Sequence, residues 1–289
     1  MKSMVMGLDA SVMCNCFERG LTSEPPFPRD WLHVDEEGYL NLKPEHDSSE
    51  RWHLLWEWQR NCCEHEGMNY CSHRISNWYG YRLFQAALQN AGAELFPMLV
   101  EELPDLNGGL TESRAAASCL RELATFREKG VIGTKTVLVD TNADVVIREF
   151  VAVYEGVFIL AGSAGLHFGL TEFEFYIRDA ETGELLFTAT RFQQSVQGKK
   201  PSGESGERVL YTDLDSGATF ECSVAVSGQQ IPWDDGSLQN DEGRVRFDYP
   251  IELHVEPRES LADDFDYVVT PLENVFRAST ITGNPVRWC

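Results

Sequence analysis

The spacing of apolar residues changes near residue 130 of the chain. Before that point apolar side chains recur every three or four residues, the period of an amphipathic helix. Each such stretch begins at an Asp, Ser or Thr that suits a helix N-cap, and the last two end at a Gly. In the first stretch Trp52, Leu55 and Trp56 share one face, which predicts that all three lie in the core. The predicted helices span residues 47–63, 76–92 and 111–130.

After residue 130 apolar and polar residues alternate, which is typical of strands with one buried face. The predicted strands span residues 136–140, 145–154, 173–178, 185–192, 220–226 and 245–255. Short Gly-containing connections between several of them favour antiparallel hairpins. The sequence therefore predicts an α+β fold in which a helical N-terminal part (1–130) packs beside an antiparallel β-sheet part (131–289). The sheet part is expected to be a sandwich or an open barrel, and one continuous domain is the alternative to two separate parts.

The net charge of the chain excludes some classes of binding partner and favours others. The chain has 24 Lys and Arg residues against 46 Asp and Glu residues, a net charge of −22. Such a chain is ill suited to a phosphate backbone, so direct nucleic-acid binding is not expected. A basic protein partner is favoured instead, because opposite charge steers association.

The chain also lacks a run of about 18 apolar residues, and its first residues lack an apolar stretch of signal-peptide length. We therefore expect a cytoplasmic protein without membrane contact.

Cysteine and histidine are concentrated near the N-terminus. Five of the eight cysteines lie within the first 71 residues, together with His65 and His73. In a large chain without an export signal, such a cluster indicates metal binding or reactivity more than disulfides. The sequence assigns no role to Cys119, Cys222 or Cys289.

Two closely spaced pairs stand out within this cluster. Cys14 and Cys16 form one, and Cys63 and His65 form the other, 47 residues further on. Zinc takes four such ligands in a tetrahedron, often as two pairs from separate segments, so these four residues are the predicted zinc ligands. The residues that could replace a member of this set are Cys62, Cys71 and His73. Ordinary burial is the competing interpretation, because free cysteines commonly pack in cores.

The segments that hold these two pairs, together with a third segment, resemble those of other proteins. The run MGLDASVMCNCFE at 6–18, the Cys-Glu-His-Glu motif at 63–66 and the segment 73–77 resemble a family of uncharacterised bacterial proteins that open in the same way. The family brings no established activity. The resemblance implies that one spatial cluster is formed by Asp9, Cys14, Cys16, Cys63, His65 and His73.

Several functions are compatible with these features. The favoured hypothesis is an acidic partner-binding protein, such as an immunity protein or antitoxin that neutralises a basic toxin, with a structural zinc site. The alternative is a metal-dependent hydrolase that uses the Cys/His cluster with Glu66 or Asp9 as the catalytic carboxylate. A zinc module with a structural or sensing role, and a thiol nucleophile formed by Cys63 with His65, are further possibilities.

Overall fold

The computed structural model describes residues 7–158, 160, 163, 165–197, 208–232, 235–238 and 245–289. Within these residues the α-helices are α1 (Ser49–Gln59), α2 (Trp78–Asn90), α3 (Pro97–Glu102), α4 (Ser113–Glu128) and α5 (Asp266–Thr282). The strands in the first half of the chain are β1 (Gly7–Met13), β2 (Leu32–Val34), β3 (Leu40–Leu42), β4 (Asn69–Asn77), β5 (Leu110–Thr111), β6 (Val131–Asp140) and β7 (Val145–Glu149). They are followed by β8 (Val157–Phe158), β9 (Leu166–Leu170), β10 (Phe175–Asp179), β11 (Leu185–Ala189), β12 (Arg191–Gln197), β13 (Arg208–Asp213), β14 (Thr219–Cys222), β15 (Glu252–Leu261) and β16 (Val286–Trp288). None of the described helices is long and apolar enough to cross a membrane.

The mixture of helices and antiparallel sheets confirms the α+β class. The chain divides into two compact units, one formed by Met1–Gly133 with Ser260–Cys289 and the other by Thr134–Glu259. This division differs from the expected one, in which all of 131–289 belonged to the β part. The last 30 residues return to the first unit because α5 buries an apolar stripe, including Val268, Leu272 and Phe276, in the helical core.

The first unit contains a four-stranded antiparallel sheet with the order β4-β1-β16-β5. Side chains alternate between its two faces along each strand. Leu8, Ala10 and Val12 of β1 are buried in one core with residues of α2, α4 and α5. Asp9 and Ser11 therefore lie on the opposite face, away from these helices.

A smaller apolar cluster in the first unit joins the end of β1 to α1 and to the β2–β3 hairpin. Leu55 of α1 is 2% exposed in this cluster, whereas Trp52 is 50% and Trp56 is 44% exposed. The prediction that both tryptophans lie in the core was therefore wrong. The reason is that α1 covers the small cluster with one narrow strip, so that Leu55 is the only buried residue along this fully described helix.

The second unit contains two antiparallel sheets that share a core. Their strand orders are β11-β10-β9-β8 and β14-β13-β12-β15-β6-β7. Phe175 of the first sheet stacks on Phe192 of the second with ring centroids 4.5 Å apart, and Tyr211 packs beside them. This arrangement is a β-sandwich, one of the two expected architectures. The predicted strands omitted β8, β9 and β13.

Candidate metal centre

The end of β1 positions the first Cys pair. The main-chain N–H of Cys14 donates to the carbonyl oxygen of Met68 at 2.8 Å, which holds the end of the strand beside the segment that precedes β4. A turn follows in which the N–H of Leu21 donates to the carbonyl oxygen of Cys16 at 2.8 Å. The chain thus folds back directly after the pair, and Cys14 and Cys16 are both buried.

The loop that follows α1 positions the second pair. Its ends are joined by a hydrogen bond from the N–H of Gly67 to the carbonyl oxygen of Arg60, with an N···O distance of 3.4 Å. The reversal uses Gly67 at φ 58°, in the left-handed region that glycine adopts at no steric cost. Cys63 and His65 lie inside this loop, half-buried.

The two pairs meet in space. One ligand atom from each of Cys14, Cys16, Cys63 and His65 lies within 4.8 Å of all the others. The Sγ atoms of Cys14 and Cys63 are 3.8 Å apart, and Cys16 Sγ is 3.3 Å from His65 Nδ1. Zinc–sulfur bonds of about 2.3 Å at tetrahedral angles place two sulfurs about 3.8 Å apart. The four predicted residues therefore form a group that could hold a metal ion.

Burial controls the protonation of these thiols. It raises the pKa of Cys14 to about 12, and it also raises the pKa of Cys16 above its usual value. Both side chains are consequently neutral thiols near pH 7 when no metal is bound. A metal ion that binds here displaces their protons, because the thiolate is the ligand.

The contacts of His65 bear on the thiol-nucleophile hypothesis. Its Nδ1 lies beside the thiol of Cys16, whereas Cys63 Sγ donates to the main-chain oxygen of His65 at 3.5 Å. The imidazole ring also packs against Tyr70, with centroids 5.4 Å apart. The ring nitrogen within hydrogen-bonding distance of a thiol therefore faces Cys16, and not Cys63 as the hypothesis requires.

Residues near the end of the chain support the first pair. Asn15 Nδ2 donates to the carbonyl oxygen of Thr282 at 2.6 Å, and Asn284 Nδ2 donates to Asn15 Oδ1 at 2.6 Å. The sequence analysis did not identify these asparagines. Nothing local marks them, because the partners are separated by more than 260 residues.

The substitute ligands lie outside this group, although the thiol of Cys62 is in contact with that of Cys63. Cys62 is buried, and its thiol is directed to the carbonyl oxygen of Gln59 at a distance of 3.7 Å. Cys71 packs against the helical core, and His73 is paired with Ala10, whose side chain points into that same core. None of the three belongs to the four-residue group.

The carboxylates proposed for catalysis also lie outside the group. Asp9 Oδ2 is 3.7 Å from Arg74 Nη1 on the open face of the sheet. Glu66 is exposed in the short 3-10 turn that precedes β4. Of the six residues in the cluster implied by the resemblance, the structure therefore brings four together and leaves Asp9 and His73 apart.

Comparison with known proteins adds no relative: no family model matches this chain, and neither does any curated protein or solved structure.

Proposed function

We propose that this chain binds one Zn²⁺ through Cys14, Cys16, Cys63 and His65, and that the metal stabilises the fold. The observation that carries the proposal is the convergence of four ligand atoms within 4.8 Å of one another. These atoms come from two segments that are far apart in sequence. Such convergence favours a ligand set over incidental burial of cysteines.

The donor atoms favour zinc over other divalent ions. Three sulfurs and one imidazole nitrogen are soft or borderline ligands, which suit Zn²⁺ and do not suit Mg²⁺ or Ca²⁺. A set of three Cys and one His is among the common compositions of structural zinc sites.

The number of protein ligands favours a structural role over the hydrolase alternative. A catalytic zinc keeps one of its positions for water, whereas four protein donors complete a tetrahedron. The hydrolase hypothesis also needs a carboxylate beside the metal, and neither Glu66 nor Asp9 joins the group. With zinc bound, the turn after β1 and the loop after α1 would be linked through one ion, which would stabilise this part of the first unit.

Adjacent cysteines provide a matched test. Cys63→Ser removes a proposed ligand, whereas Cys62→Ser changes a buried neighbour outside the ligand set, whose contacts with Gln59 and Cys63 a hydroxyl can also make. We expect wild type and Cys62→Ser, purified without added metal or chelator, to carry about one zinc per chain. Cys63→Ser should lose the metal and unfold at a temperature lower by about 5–10 °C, the effect of a few kcal/mol in a chain of this size. A metal-free, stable wild type, or full zinc in Cys63→Ser, would refute the proposal.

The net charge of −22 supports a second candidate function, the binding of a basic protein partner. The immunity-protein hypothesis is one form of it. Association with a basic toxin should then be fast at low salt and slow markedly as salt rises, because screening shortens the range of the attraction. The absence of measurable association with co-encoded basic proteins at low ionic strength would count against this function.

A further inference from the structure

A cavity of about 380 Å³ lies on the face of the first unit's sheet that points away from the helical core. Ser11 of β1 and Arg287 of β16 are direct neighbours in the register and form part of its floor. Trp56 and Arg60, from α1 and the residue after it, and Tyr39, from the β2–β3 hairpin, form part of its walls. Ligand pockets in proteins have volumes of about 300–1,000 Å³, so the cavity is large enough for a small molecule.

The floor of the cavity holds a buried cation. Arg287 is 5% exposed, and its Nη atoms donate to the carbonyl oxygen of Gly38, to Ser11 Oγ and to Asn69 Oδ1. Its Nε is buried and has no hydrogen-bond partner. Among the described residues no carboxylate forms an ion pair with Arg287. Its hydrogen-bond partners are neutral groups, and the Tyr39 ring lies 4.2 Å away. Asp35 and Cys289 act on its charge electrostatically, without a hydrogen bond to it. Leaving a buried charge without a counterion costs free energy, which an anion in the cavity would recover.

A second guanidinium lines the same cavity. Arg60 lies over the ring of Trp56 at 5.1 Å and, within the part of the chain that the structure describes, forms no ion pair. The acidic side chain at this cavity is Asp9, which is half exposed and faces Arg74.

We propose that this cavity binds a small organic oxyanion, a carboxylate or phosphate ester attached to a planar ring. Guanidinium groups match both oxyanions through charge-assisted hydrogen bonds, and Arg287 and Arg60 supply two of them. Tyr39 and Trp56 are 40% and 44% exposed, and together they offer ring faces to a planar group. The proposal does not depend on the zinc site.

Titration calorimetry with phenyl phosphate, benzoate and neutral benzyl alcohol tests the proposal on the whole chain. At least one of the two anions should bind at a single site, and benzyl alcohol should bind at least about tenfold more weakly, since it cannot form a charge-assisted hydrogen bond with a guanidinium group. The comparison between phenyl phosphate and benzoate identifies which oxyanion the site prefers.

Three variants locate the binding. Arg60→Gln should weaken the preferred anion about tenfold, and Arg287→Lys should weaken it at least as much, because lysine lacks the planar fork. Arg114→Gln is the control, since Arg114 is exposed on α4 and does not line the cavity. Arg60 lies at the surface, so its variant remains informative if Arg287→Lys does not fold. No saturable binding of either anion below about 10 mM, or binding that Arg60→Gln leaves unchanged, would overturn the proposal.

Discussion

Asn284 Nδ2 donates a hydrogen bond to the main-chain oxygen of Met13 at 2.8 Å, one residue before the first thiol of the four-residue group. The same amide contacts Asn15, between Cys14 and Cys16. One side chain near the end of the sequence therefore holds the residues on both sides of Cys14, through the main chain of Met13 and the side chain of Asn15. The geometry of the first Cys pair depends on this contact across 271 residues as well as on its local turn.

Replacement of this asparagine should loosen the site. We expect Asn284→Ala to weaken zinc binding about tenfold or more, the usual effect of removing a group that orients metal ligands. The measurement is competition with a chromophoric chelator. Asn107→Ala is the control, because Asn107 is exposed and lies outside the site. Equal zinc affinity in the two variants would show that the turn holds its shape without Asn284.

The pKa shifts of the thiols predict how zinc binding depends on pH. Burial raises the pKa of Cys14 to about 12 and raises that of Cys16, so both thiols keep their protons between pH 6 and 8 in the metal-free protein. Zinc must displace both of these protons, and its affinity should therefore rise with pH by at least about two decades per pH unit in this range. Calorimetry in buffers of different ionisation enthalpy counts the protons released. Binding without proton release would show that the thiols are already thiolates.

Neighbouring residues of α1 should differ sharply in their effect on stability. Leu55→Ala empties a site that is 2% exposed and should lower the free energy of unfolding by about 2–5 kcal/mol. Trp52→Ala removes a larger side chain, but one that is half exposed, and should cost less than about 1 kcal/mol. Chemical denaturation of both variants checks the difference. A larger loss of stability in Trp52→Ala than in Leu55→Ala would show that α1 buries the face of Trp52 and not that of Leu55.

The ligand set could be predicted from sequence because each pair is local. Two residues that are two positions apart need only a turn or a short loop to bring their side chains together, and residue type then indicates a metal. The same reasoning could not separate Cys62 from Cys63, since that choice depends on how the loop leaves α1. It also could not identify Asn284, whose partners are distant in sequence.

Helices and strands were predictable where the apolar period was unbroken. The predicted starts of the first two helices lie within two residues of α1 and α2, whose N-caps are Ser48 and Asn77. Helix α5 was missed, since Pro271 interrupts its first turns and strand-forming residues precede it. The burial of Trp52 and Trp56 was mispredicted because helical spacing identifies a shared face but not how much of that face another element covers.

The loop from Arg60 to Gly67 connects the two proposed sites. It carries Cys63 and His65, and the residues at both of its ends line the cavity. If both proposals hold, removing zinc should free this loop and weaken the preferred oxyanion severalfold, because Arg60 would no longer be held in place. Calorimetry on metal-free protein measures the coupling, and linkage requires that the oxyanion strengthen zinc binding by the same factor. Unchanged oxyanion affinity in folded, metal-free protein would mean that the Gly67–Arg60 hydrogen bond alone keeps this wall of the cavity in place.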